Sequence, residues 1–146
     1  MGLKKMKGLN FPFVIKPLFT IIYLLLIAVA MIVFLGRSYD ALKMPFWGKE
    51  FYSHISNFTI AYLITSVVGF LWLQQGVQIS RIIIFAIVVL LVNYLYELWL
   101  PIINTPDIID GHFGAAGVLL ATIFLVIVAR SGLMPNPNFL PPAKRQ

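Results

Sequence analysis

The chain contains no cysteine. Disulfides, zinc–thiolate centres, iron–sulfur clusters and thiol nucleophiles are therefore excluded. Charge is also scarce: 11% of the 146 residues are charged, with five carboxylates and two histidines in all. The His-Glu-x-x-His zinc signature, the Gly-x-Ser-x-Gly elbow and the Gly-x-x-x-x-Gly-Lys phosphate loop do not occur, and no internal repeat is visible. Nor is any polar stretch long enough to build a separate water-soluble core. Chemistry, if there is any, has to be assembled from helix ends and short loops.

Hydrocarbon is what the chain has in abundance. Apolar residues make up 60% of it, against about 45–50% in a soluble domain. They fall into four unbroken runs rather than the alternating pattern of barrel strands, so the expected fold is all-α, a polytopic four-helix transmembrane bundle. The helices are expected at about 17–36, 50–73, 82–100 and 110–129, forming a membrane domain over 17–129. A basic segment, 1–16, precedes it. A tail, 130–146, follows, and its prolines and asparagines predict irregular structure.

The first run, Pro17 to Gly36, carries no charge and reaches about 30 Å as a helix, enough to span a bilayer. A cleaved signal peptide ending near Ala28-Val29-Ala30 is the rival reading, but the apolar run continues past that point. Charge then sets the orientation. Lys4, Lys5, Lys7, Lys16, Arg81, Arg130, Lys144 and Arg145 fall on one side of a four-crossing chain; Arg37, Lys43 and Lys49 fall on the other. Eight against three places both termini and the Gln74 to Arg81 turn in the cytoplasm. The net charge of +6 is thereby explained by the membrane, and no nucleic-acid partner is expected.

The same topology sends every carboxylate and both histidines to the outer face, although acids contribute little to orientation themselves. Three of the five acids, Glu97, Asp107 and Asp110, lie within "YELWLPIINTPDIIDGHFGAAG". Glu97 follows Asn93 by four residues and shares its helix face; it either snorkels beside Tyr96 and Trp99 or points into the bundle. Asp107 suits a helix N-cap, with Asp110 three residues on. Asp110, Gly114, Gly117 and Ala121 recur at spacings of four, three and four, a small-residue stripe that lets a neighbouring helix pack closely. Glu50, His54 and Asn57 share a face at the start of the second helix, where Glu50 can hold one imidazole nitrogen. His112, two residues from Asp110, points elsewhere.

The expected polar pocket therefore comprises Glu50, His54, Asn57, Asn93, Glu97, Asp107 and Asp110, with Gly114, Gly117 and Ala121 as the packing stripe. It offers acid/base capacity or an oxygen-and-imidazole site for a divalent cation. No catalytic residue and no metal ligand set is fixed by these spacings.

These residues resemble the VanZ-like membrane proteins. That family has an acid and a His four apart opening the second helix, and a Glu at the outer end of the third. An Asp heads its small-residue fourth helix, followed four residues later by Asn and seven later by Gly. "EFYSHISNFTIAYL", "YELW" and "DGHFGAAGVLLA" supply Glu50, His54, Glu97, Asp110 and Gly117, over about residues 45 to 121. The chain departs from the pattern at Glu50, where Asp is usual, at Phe51 for Lys, at Leu100 for Gln and at Gly114 for Asn. The basic residue of the third outer loop is absent. The resemblance implies a bacterial inner-membrane protein of the cell envelope, in a family linked to reduced teicoplanin sensitivity. The expected function is binding of an envelope lipid, a lipid-linked precursor or a partner protein at the outward pocket. The alternatives are a membrane enzyme acting on a lipid or isoprenoid-linked substrate, with His54 as acid/base, and a structural subunit of a larger membrane complex.

Overall fold

The computed structural model describes residues 11–99 and 107–139. Lys4, Lys5, Lys7, Leu100, Lys144 and Arg145, used above, lie outside the described residues. Four long helices are present: α1 (Pro17–Leu35), α2 (Lys49–Gln74), α3 (Ile79–Trp99) and α4 (Ile108–Ile127). All four are long and apolar enough to cross a membrane.

Local chemistry fixes the helix ends. Pro17 opens α1 at a position where its missing N–H costs nothing. Gly76, at φ +78°, closes α2. The Val77 N–H donates to the Trp72 carbonyl at 3.0 Å and the Gly76 N–H to Leu73 at 3.1 Å, the paired bonds of a Schellman cap, for which glycine carries no steric penalty. Asp107 caps α4, accepting the Ile109 N–H at 2.8 Å.

The helix bounds fall within two residues of the sequence expectation except at the start of α3, and the tail differs in kind. Helix α3 begins at Ile79 rather than 82, so Arg81 sits inside its first turn; the glycine turn ends at Gln78, and a long cation at a membrane boundary can snorkel outward. The tail is not irregular where it is described. Helix α4 runs into a π-helical turn, Val128–Gly132, and Leu133–Pro135 (β2) pairs antiparallel with Phe13–Ile15 (β1). The Lys16 N–H donates to the Gly132 carbonyl at 2.8 Å and Lys16 Nζ to the Ser131 carbonyl at 2.7 Å. Pro135 is tolerated because a two-stranded ribbon is all edge. The ribbon ties the two ends of the bundle together, and the ring of Phe13 lies against the Gly76 turn. The α2–α3 turn, the strand that leads into α1 and the strand that follows α4 therefore share one end of the described structure.

The interior is thin. Tyr23 stacks on Phe70 with ring centroids 4.0 Å apart, and Phe124 lies beyond at 6.1 Å. Leu73, Ile82, Leu125 and Val128 complete this cluster near the ribbon end. Helix α1 turns Leu18, Ile21, Leu24, Leu25 and Val29 outward, all more than half exposed. Such a surface is unstable in water and at home in hydrocarbon. The tightest interface is between α2 and α4. A Cβ on Gly117 would stand 2.3 Å from the Phe58 carbonyl oxygen, so the two backbones touch there because residue 117 has no side chain.

Candidate functional site

At the end opposite the ribbon, the start of α2, the end of α3 and the start of α4 converge. The α2–α4 contact at Gly117 sets the spacing that lets side chains one or two turns nearer this end meet. His54 Nδ1 lies 2.8 Å from Asp110 Oδ1 and 3.7 Å from Asp107 Oδ2. The side chains are 16%, 20% and 36% exposed for His54, Asp110 and Asp107. The three thus form a half-buried cluster between two helices, with ligand-type atoms all within 4.8 Å of one another.

Glu97, in the last turn of α3, is 1% exposed. It points into the protein rather than snorkelling. Asn93, one turn earlier, donates from Nδ2 to the Gly111 carbonyl at 3.0 Å. Its amide fills the space beside Gly114, where an added Cβ would meet it at 2.1 Å. Asn57 is half-buried and faces a separate crevice of about 330 Å³ between α2 and α3, shared with Asn93 and Tyr96.

Glu50 does not hold His54. It is exposed in the first turn of α2, where its charge suits the helix dipole, while the imidazole nitrogen is bonded across to α4. His112 does point elsewhere: its Nδ1 meets the Tyr94 hydroxyl at 2.8 Å on the surface. Asp40 is occupied by Lys43, whose hydrogen bond and charge hold its carboxyl below the usual carboxylate range.

Sequence reading missed the apolar half of the site. A groove of about 510 Å³ runs between α1 and α4 over α2, walled by Ala30, Val33, Phe51, Phe58, Phe113 and Ala116 among others. Its volume is that of an ordinary small-molecule site, about 300–1,000 Å³. Phe113 belongs to both halves, since its ring also lies 5.5 Å from the His54 imidazole. The legible signal was Phe51, Ile55, Phe58 and Tyr62, spaced four, three and four along one face of α2. Tyr62, also lining the groove, is 1% exposed, and its hydroxyl has no hydrogen-bond partner among the described residues.

Comparison with protein-family models, curated proteins and solved structures finds no match to this chain.

Proposed function

We propose that the chain is a small VanZ-like protein of the bacterial inner membrane that binds an envelope lipid or lipid-linked precursor. The polar head engages His54, Asp107 and Asp110 and the tail lies in the α1–α4 groove. The observation that carries this reading is the shared wall at Phe113. A half-buried polar cluster and an apolar groove of about 510 Å³ meet at one side chain, which is the outline of an amphiphile.

Of the five residues that carry the family resemblance, Glu50, His54, Glu97, Asp110 and Gly117, two, His54 and Asp110, meet at 2.8 Å. Where the family has Asn, this chain has Gly114, and the amide of Asn93 occupies that space from α3 instead. The charge count of the whole sequence turns the site outward.

Native mass spectrometry of the full chain released from mild detergent tests the reading. A retained lipid is expected on the parent, weakened by Asp110→Asn at the head and by Ala116→Trp in the groove. Identical adducts on parent and both variants, or none on the parent, would overturn it.

A further inference from the structure

One imidazole nitrogen faces two carboxylate oxygens. Asp110 Oδ1 is within hydrogen-bond reach of His54 Nδ1, at 2.8 Å, whereas Asp107 Oδ2, at 3.7 Å, is too far. Asp107 is nevertheless not free to turn away. Its Oδ1 accepts the Ile109 N–H at 2.8 Å, which aims Oδ2 back toward the ring. Two half-buried carboxylates held this close repel each other unless a cation lies between them. Among the described residues neither has a Lys or Arg partner: Arg37 donates to Ser56 and Lys43 pairs with Asp40. A divalent cation between the two carboxylates would supply the compensating charge.

We propose that His54 Nδ1, Asp107 Oδ2 and Asp110 Oδ1 form a divalent-metal site for Mn²⁺ or Zn²⁺. Metal–donor bonds of about 2.0–2.2 Å put neighbouring donors roughly 3.3 Å apart, and the two measured separations, 2.8 and 3.7 Å, bracket that value. An ion enters with a shift of about half an ångström on each side. One imidazole with two carboxylates suits a borderline or moderately hard ion, while Ca²⁺ asks for six to eight oxygens. The Ile109 amide on Asp107 is the kind of supporting hydrogen bond that orients a ligating carboxylate. Three protein donors leave at least one coordination position for water or a ligand oxygen. The inference uses the cluster assigned above to the lipid head, but ion loading is read on lipid-stripped protein, so it fails or succeeds separately from lipid retention.

The test takes the full chain in detergent, treated with chelator, desalted, and titrated with Mn²⁺ and with Zn²⁺. About one tightly held ion per chain is expected, with affinity falling at least tenfold in His54→Asn and Asp110→Asn and unchanged in Asp40→Asn. The chain has only two histidines, which gives a readout that survives misfolding of those variants. In His112→Gln, pulsed electron paramagnetic resonance of bound Mn²⁺ is expected to show coupling to a single imidazole nitrogen, that of His54. No ion bound at millimolar metal, Mn²⁺ without imidazole coupling in His112→Gln, or full affinity in folded His54→Asn would each overturn the proposal.

Discussion

Replacing Gly117 by alanine tests whether backbone contact between α2 and α4 builds the site. The new Cβ would lie 2.3 Å from the Phe58 carbonyl oxygen and 3.1 Å from the Tyr62 nitrogen. Ordinary contact starts at 3.4 Å, so the helices must part by about 1 Å, and because both obstacles are backbone, no rotamer change relieves them. Overpacking of this kind costs about 1–3 kcal/mol. Asp110 lies two turns away on the same face of α4, so the displacement carries to the His54–Asp110 bond. A stretch from 2.8 Å by about 1 Å removes that bond, which adds about 1 kcal/mol. The expected total is about 2–4 kcal/mol, measured by reversible unfolding in mixed micelles of increasing dodecyl sulfate. Leu119→Ala, on the exposed face of the same helix, is the comparator and should fall within about 0.5 kcal/mol of the parent. Gly117→Ala within that same margin would mean that the helices are held apart by something else, and the account of the site would fail with it.

Three further outcomes follow from particular side chains. Tyr62→Phe removes a buried hydroxyl without a partner among the described residues and should leave stability equal or higher by about 1 kcal/mol; a clear loss in the same unfolding assay would show that the hydroxyl is bonded in the membrane. Asp107→Ala should cost about 1 kcal/mol through the lost cap, whereas Asp107→Asn should keep the cap and the stability; equal losses in the two would refute the capping role. Reporter fusions at Gly76 and the carboxyl terminus should read cytoplasmic and one near Pro106 external, and a cytoplasmic reading near Pro106 would invert the site.

The fold was largely legible because a transmembrane helix is announced by length and hydrophobicity alone, without knowledge of its neighbours. The stripe Gly114, Gly117, Ala121 could be read for the same reason: small residues at helical spacing have one common use between helices. Asp107 was recognisable as a cap from its position before an apolar run. What escaped depends on contacts between distant segments. Phe13–Ile15 and Leu133–Pro135 are three residues each, too short to display a period of two. The partner of His54 was misread for a related reason. Glu50 is its neighbour at i−4, the only kind of partner a single helix advertises, yet Asp110 comes closer because Gly117 brings α4 against α2. The groove escaped because a gap between helices has no residues of its own.

The groove's position follows from where α1 is fastened. At the ribbon end, Lys16 bonds to the carbonyls of Ser131 and Gly132, and Tyr23 stacks within reach of both Phe70 on α2 and Phe124 on α4. Nearer the site, α1 packs on α2 through Val33 against Tyr52 and Ile55, while Val29 and Ala30 line the groove together with Phe113, Ala116 and Leu120 of α4. The two helices pack together near the ribbon and flank the groove, a wedge between them, nearer the polar cluster. In hydrocarbon such a wedge costs little, because lipid chains fill it as readily as side chains do. For the lipid reading this geometry decides the route of entry: a tail slides sideways from the bilayer into the α1–α4 seam while its head stays at the depth of His54, so no polar group has to cross the hydrocarbon.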